Sequence, residues 1–407
     1  MKPVPTHKIR SGQILAEDVR DINGRLLLAR GNKIGANHLR IFKIWGISEV
    51  FIADGSGDGN KSKPEMDPEL VEQVQEGVKI LFYHMDMEHP AIKEIYKLSV
   101  KFRCRHNLMG LESNLQFNER ETAPQIQQTD FLKKLNKKKI ILPEIPSVVF
   151  ELNEVIANPM SSAANIAQVV NSSPSLTALL LKIVNSSFYG FPSKICTVSH
   201  AVTLIGTREI TGLALGICIL SIFKNIPKEI IDMYSFLKHS LATGILSRIL
   251  AAHKNLRHTE QLFVSGLLHD LGRLILYIYF PDESLKILAR SRTRSRLLYE
   301  EEKEWLGCDH AQVGKQLMKQ WKLPPILEDN VFYHHKPSTA QQLEPATIVH
   351  LADIIINGLG IGSSGEKFVP PLDHEAWEKF NFSPSSFESI IGQTVHQFNS
   401  LESILHV

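Results

Sequence analysis

Apolar residues return at helical spacing over most of this chain, and strand-like patterning is confined to its first 54 residues. From Leu142 onward the helical period is dense. Val148, Val149, Leu152, Val155 and Ile156 form one stripe, and Ile166, Val169 and Val170 form the next. Ser173-Pro174 reads as an N-cap followed by proline at the first helical position, and Leu176, Leu179, Leu180, Ile183 and Val184 follow on one face. Asn185-Ser186-Ser187 and Gly190 stop that helix, and two further apolar helices are predicted over 199–205 and about 208–223. Earlier helical patterns cover about 68–83 and 91–104. The first residues read differently: Asn23-Gly24 marks a tight hairpin, 36–45 a short helix and 48–52 a strand. The expected architecture is mainly α, a helical bundle preceded by a small α+β domain.

Composition changes this picture little but closes off several function classes. A length of 407 residues suggests two or three domains. The Gly/Ser/Lys-rich stretch Asp54–Pro64 sets the boundaries: an α+β domain over 1–54, a flexible linker over 55–67, a helical connector over 68–130, the main helical domain over 138–340 and a C-terminal helical extension over 341–407. Lys133, Lys134, Lys137, Lys138 and Lys139 form a basic run, read first as a solvated boundary and second as a phosphate or partner patch. Lys plus Arg number 45 against 43 Asp plus Glu, which argues against nucleic-acid binding driven by global charge. Cys104, Cys196, Cys218 and Cys308 form no CxxC pair, so neither a disulfide scaffold nor a cysteine zinc site is expected, and a reducing cytoplasm fits. The N-terminus has no apolar signal-peptide core. The most apolar window, Gly212–Phe223, is shorter than the roughly 20 residues of a membrane span and reads as a buried core helix.

Candidate chemistry gathers between residues 239 and 353. His239 opens an apolar helix, His269-Asp270 lies in GLLHDLGRL, His310 in CDHAQVG, His334-His335 in VFYHHKP and Asp353 in IVHLADIII, with His350 on its face. Imidazole nitrogens and carboxylate oxygens suit Zn, Fe or Mn, and one carboxylate has two oxygens with which to bridge two ions. Taken singly, each histidine is more often structural than ligating. The set is more telling, because titratable groups on buried helices are costly unless paired. A metal would satisfy them, and so would hydrogen bonds among themselves.

The segments LPEIPSVVFELNEVIANP, NSSPSLTALLLKIVNSSFYGFP and TVSHAVTLIGTREITGLAL resemble the HDOD family, relatives of the HD and HD-GYP phosphohydrolases. The likeness continues through HSLATGILSRIL, FVSGLLHDLGRL, CDHAQVGKQLMKQWKLP and YHHKP, covering about 138–340. The stretch from Gly12 to Ile47 is similar to the small domain that often precedes HD-GYP domains. The resemblance implies an all-α HD-type fold and a role in bacterial signal transduction, often tied to cyclic-dinucleotide pathways and exercised through protein contacts. It assigns His239, His269, Asp270 and Asp353 to the H…HD…D ligand set, with His310, His334 and His335 as the extra histidines of HD-GYP sites, for one or two divalent ions (Fe, Mn or Zn). The HD-GYP lysine is replaced by Arg273, which is no proton donor near neutral pH but has the means to orient a phosphate. The GYP signature is absent: His334-His335-Lys336-Pro337 runs into STAQQLEP.

Three functions compete. The first is a non-catalytic adaptor that binds signalling proteins, with homodimerisation in keeping with spare apolar helix faces. In that reading Phe188, Tyr189 and Phe191 either anchor the helix packing, which the turn residues favour, or form a contact surface. The second is a metal-dependent phosphodiesterase acting on a cyclic dinucleotide or another phosphoester. The third is a sensor that binds a nucleotide without cleaving it.

Overall fold

The structure is a computed structural model. It describes residues 68–108, residues 147–402 apart from 159, 187, 192, 224 and 225, and the strands of the first 52 residues with their surroundings. The linker and the lysine run Lys133–Lys139 lie outside the described residues.

Two separate cores form. In the first, strand Pro3–Pro5 pairs antiparallel with Glu49–Phe51, and Val19–Arg20 pairs antiparallel with Leu26–Leu28. Ile9, Leu15, Val19, Ile34, Phe42, Val50 and Ile52 fill its interior. The expected hairpin and terminal strand are both present, although the Asn23-Gly24 turn lies outside the described residues.

The second core is helical, and its elements begin where the sequence supplies caps. Ser162 and Asn165 close a reciprocal capping box before Ala163–Asn171. The Ser173 side chain accepts from Leu176 N–H ahead of Pro174–Val184. Thr197 does the same for His200 N–H at the start of Val198–Ile205, and Thr207–Ser221 follows as the apolar core helix.

The central helix departs from expectation. It starts at Met233 rather than His239, because the Asp232 carboxylate accepts from the N–H groups of Tyr234 and Ser235. His239 therefore sits in the second turn, inside the protein. This helix, Met233–His253, is buried all round, as its lack of a polar face requires. Gly244 and Gly266 let it meet Thr259–Leu268 at short range: a Cβ on Gly266 would lie 2.6 Å from Ser247 Oγ and 2.8 Å from the Thr243 carbonyl.

Among the described residues, Thr259–Tyr279 has the length and hydropathy of a membrane span, with 89% of its most apolar window buried inside the bundle; the expected core helix around Gly212–Phe223 is buried as well. The connector and the C-terminal extension join the bundle. Helices Pro68–Leu81 and Pro90–His106 pack with Leu343–Leu359 in one continuous core, Val369 N–H donates to the Leu81 carbonyl at 2.8 Å, and Arg103 reaches the Gly358 carbonyl at 2.8 Å. Of the two readings of the aromatic turn, Phe188 takes the anchoring one, being buried. It packs on Phe263, and the Arg248 guanidinium lies 4.3 Å from its ring centre and 5.0 Å from that of Tyr189. Arg248 is itself paired with Glu260 at 2.7 Å, so the aromatic turn is an anchor.

The close crossing carries a prediction. Gly266→Val forces a branched side chain against backbone and should destabilise the protein by about 2 kcal/mol or more. Urea unfolding checks this, with Gly392→Ala, where a Cβ meets nothing within 4 Å, as the control.

Candidate metal centre

Five chain segments deliver their side chains to one buried point. His239 comes from Met233–His253. His269 and Asp270 occupy the break between Thr259–Leu268 and Leu271–Tyr279, where the helix is interrupted for two residues. His310 is the first residue of His310–Gln320, a start enforced by a capping box between Asp309 and Gln312. His334 and His335 follow the end of Pro325–Tyr333, and Asp353 lies within Leu343–Leu359. Gly272 and Gly314 make the approach possible. A Cβ on Gly272 would run into the His310 carbonyl, so HDLG must end in glycine for His310 to reach Asp270.

The distances describe two joined groups. His239 Nε2 and His269 Nε2 are 3.3 Å apart, and each lies 3.3 Å from Asp353 Oδ1. Asp270 Oδ2 is 3.1 Å from His269 Nε2 and 3.6 Å from His239 Nε2. The other oxygen, Oδ1, is 3.0 Å from His310 Nε2. His310 Nε2 in turn stands 3.4 Å from His334 Nε2 and 3.0 Å from His335 Nε2. Three sets have ligand atoms all within 4.8 Å of one another: His310, His334 and His335; His239, His269 and Asp270; His269, His334 and Asp353. All seven expected residues are thus gathered, with Asp270 spanning the two groups.

The donor chemistry fits divalent ions. His269 Nδ1 donates to the Gly266 carbonyl at 2.8 Å, His334 Nδ1 to the Val331 carbonyl at 2.6 Å, and His310 Nδ1 to Glu302 Oε2 at 2.6 Å. With Nδ1–H engaged, each neutral ring turns its Nε2 lone pair inward, the arrangement that outer partners impose on ligating histidines. Lone pairs facing each other at such range repel unless a positive charge lies between them. Metal–nitrogen bonds of about 2.1 Å put neighbouring ligand atoms about 3.0 to 3.4 Å apart, which matches the observed separations. An ion held here would polarise a bound oxygen and favour neutral imidazoles and ionised carboxylates.

Without an ion, protons supply that charge. Burial opposes a charged His269, but Asp270 and Asp353 outweigh it and hold the imidazole up to about 10. Burial and Arg273 act against a proton on His310, yet Glu302 and Asp270 raise it to about 9. Burial, with His269 and His310 alongside, pushes His334 down to about 3. His335 is lowered by burial and by His334. Burial alone would raise both aspartates. Arg273 and His269 keep Asp270 well below the carboxylate range, and contacts from His239 and His269 do the same for Asp353.

Arg273, which the resemblance assigns to orienting a phosphate, is buried among protein groups: Nη1 donates to Ser364 Oγ at 2.6 Å and faces Asp270 at 3.5 Å, Nη2 faces Glu366 at 3.5 Å, and Nε faces Glu302 at 3.8 Å. The guanidinium helps to hold Asp270 ionised. Glu302, Ser364 and Glu366 complete this layer, none of them singled out from sequence. Glu302 sits in the charged run YEEEKEW. His350 also belongs to this layer: Nδ1 donates to the His334 carbonyl at 2.7 Å and Nε2 accepts from Asp373 N–H at 3.0 Å, so both ring nitrogens are engaged.

A profile of the HDOD domain matches residues 142–337. A curated relative, an uncharacterized protein of Treponema pallidum (strain Nichols), is 22% identical over 255 residues; the match covers 62% of this chain and about half, 48%, of that protein. Three solved structures are similar. An HDOD domain protein of unknown function from Geobacter sulfurreducens gives a TM-score of 0.58 at 20% identity, covering 68% of this chain and 97% of its own. A candidate metal-dependent phosphohydrolase from Shewanella amazonensis SB2B gives 0.51 at 18%, covering 68% and 97%. A candidate signal transduction protein from Marinobacter aquaeolei VT8 gives 0.52 at 19%, covering 82% and 69%. At these identities the likeness establishes the fold.

The pH dependence of the centre is testable. The stabilising contribution of His269 is complete below its unfolded value near 6.5 and is lost as pH rises through about 10; that of His310 is lost through about 9. His334 has the opposite sign, with stability lost as pH falls from 6.5 toward 3. Chelator-treated protein should therefore lose melting temperature on the alkaline side. Manganese should restore more of it at each higher pH, because binding displaces the protons on His269 and His310. A metal-induced shift that shrinks between pH 6.5 and 9 would contradict this assignment.

Proposed function

Residues 142–337 make this chain a member of the HDOD family, and we propose from that premise that it relays information through protein contacts, with one or two divalent ions held at the histidine–aspartate centre. The observation that carries this reading is the burial of six of the seven candidate ligands, with His335 half-buried, together with the protein groups that face Arg273. His239, His269, His310 and His334 are 0% exposed, Asp270 2% and Asp353 5%. An ion held by such groups is a fastener between helices, and its arrival or loss changes how firmly five segments are joined. Iron, manganese or zinc all suit imidazole and carboxylate donors. The partners in this reading are other signalling proteins of the bacterial cytoplasm, with homodimerisation through helix faces as one mode.

One observation favours a second reading, that of a phosphodiesterase acting on a cyclic dinucleotide or another phosphoester. Asp270 directs one oxygen to each of the two groups, which is how a carboxylate bridges a pair of ions. Against it stand the arginine where HD-GYP enzymes carry lysine and the absence of GYP after His334-His335. Binding of a nucleotide without cleavage would leave the relay reading intact and name its input.

Elemental analysis of purified protein, joined to assays with cyclic dinucleotides and a generic phosphodiester, separates these readings. The relay reading expects bound transition metal and no turnover above a metal-only blank; sustained cleavage would overturn it. A metal-free protein that also fails to take up Mn²⁺, Fe²⁺ or Zn²⁺ would remove the ion. His269→Ala with Asp270→Ala should abolish the stabilisation by metal, which for the parent is about 2.7 kcal/mol at a free concentration a hundredfold above Kd.

A further inference from the structure

Helix Leu343–Leu359 ends against the hairpin of helices Pro68–Leu81 and Pro90–His106, and its last two turns contain both a candidate ligand and the contact with that hairpin. Asn357, one turn beyond Asp353, donates from Nδ2 to Asp353 Oδ1 at 2.7 Å and to the Asp353 carbonyl at 3.0 Å. The same Oδ1 faces His239 and His269. Asn357 thus fixes the rotation of the one carboxylate that the C-terminal helix contributes to the centre.

The backbone that carries Asn357 is held from outside. A helix end leaves carbonyls without partners and favours a cation there. Arg103 supplies it: Nε donates to the Gly358 carbonyl at 2.8 Å and Nη2 to the Asn357 carbonyl at 3.2 Å. Arg103 is buried, and burial lowers its pKa to about 10, so the two carbonyls are what it gains for leaving water. The fit around it is tight. A Cβ on Gly358 would lie 2.7 Å from Ser99 Oγ and 3.1 Å from Phe82 Cζ, and one on Gly360 would lie 2.6 Å from Arg103 Nη2. Phe82, just past the end of the first helix, and Ser99 and Arg103 on the second therefore close around the turn from which Asn357 reaches Asp353.

We propose that Arg103 and Asn357 are positioning residues that couple docking of the 68–106 hairpin to the affinity of the metal centre, so that loosening the hairpin weakens ion binding and ion binding tightens the hairpin. This rests on the reading of the centre as an ion site. The physical route is short: the hairpin sets Arg103, Arg103 sets the end of the helix, and Asn357 sets the Asp353 carboxylate. Coupling of this kind is reciprocal by thermodynamic necessity. The hairpin is also the helical segment that follows the N-terminal α+β module in the chain, separated from it by the Gly/Ser-rich linker, which makes it the place where an input from that module would enter.

The full chain is tested with Mn²⁺ as the probe, by competition against a chelating dye. Asn357→Leu removes the amide donor at little cost in volume and should weaken Mn²⁺ by about tenfold or more, the usual effect of losing an outer partner of a ligand. Arg103→Ala should weaken it at least about fivefold, and Arg103→Lys, which keeps the charge but not the two-point grip, should fall between. In the parent, Mn²⁺ should slow amide exchange across 90–106; in Asn357→Leu it should not. A purely structural role for Arg103 would lower the melting temperature while leaving the affinity of the folded protein and the metal dependence of exchange untouched. If Arg103→Ala fails to fold, Arg103→Lys and Asn357→Leu decide the matter. Variants that bind Mn²⁺ as the parent does sink the coupling alone, whereas a parent that takes up no divalent ion sinks the ion reading and the coupling with it.

Discussion

The organisation of the bundle follows from the cost of burying the Asp270 carboxylate beside a second one, Asp353. Two anions in a dry interior need positive charge within bonding distance. The protein answers with His239 and His269 on one oxygen, His310 on the other, and Arg273 behind. Protons on His269 and His310 meet the need when no ion is present, and an ion would meet it better because it also satisfies the inward lone pairs. The apolar helices are the walls that keep water from doing the same work.

Those walls are specific about approach. Gly244 and Gly266 bring the two longest-buried segments together, and Gly272 lets the break at His269-Asp270 meet the start of the His310 helix. Caps then decide which residue of each helix faces the centre: Asp232 starts its helix so that His239 falls inside, and the Asp309–Gln312 box sets His310 at a first position. Glu302 grips the His310 ring and its N–H together, at 2.6 and 2.8 Å, so backbone and side chain are oriented by one carboxylate. A hydrolase would need an open edge for its substrate. Here the guanidinium nearest to the centre is buried and faces Ser364, Asp270, Glu302 and Glu366.

The helical hairpin 68–106 and the helices after residue 340 share one core with the matched domain, and Asp353, a member of the ligand set, lies beyond the end of the match at residue 337. A cut at either expected boundary would remove the hairpin that closes the helix end or the helix that brings the carboxylate. The N-terminal α+β module, by contrast, has an interior of its own.

Helical period and the Ser-Pro cap were legible in the chain because they are local: a cap needs only its next three residues, and an amphipathic face only its own spacing. The candidate ligand set was named through motif resemblance, and the structure gathers its seven residues around one point. The outer layer was not. Glu302, Glu366, Asn357 and Arg103 were not singled out from sequence, because what defines each is a partner on another segment or one turn away in the folded helix. Type and period are properties of neighbours in sequence, whereas the partner of a buried charge is settled only when distant segments close around it; that closure set Ser364, Glu302 and Glu366 around Arg273, and Arg103 against the end of the Asp353 helix.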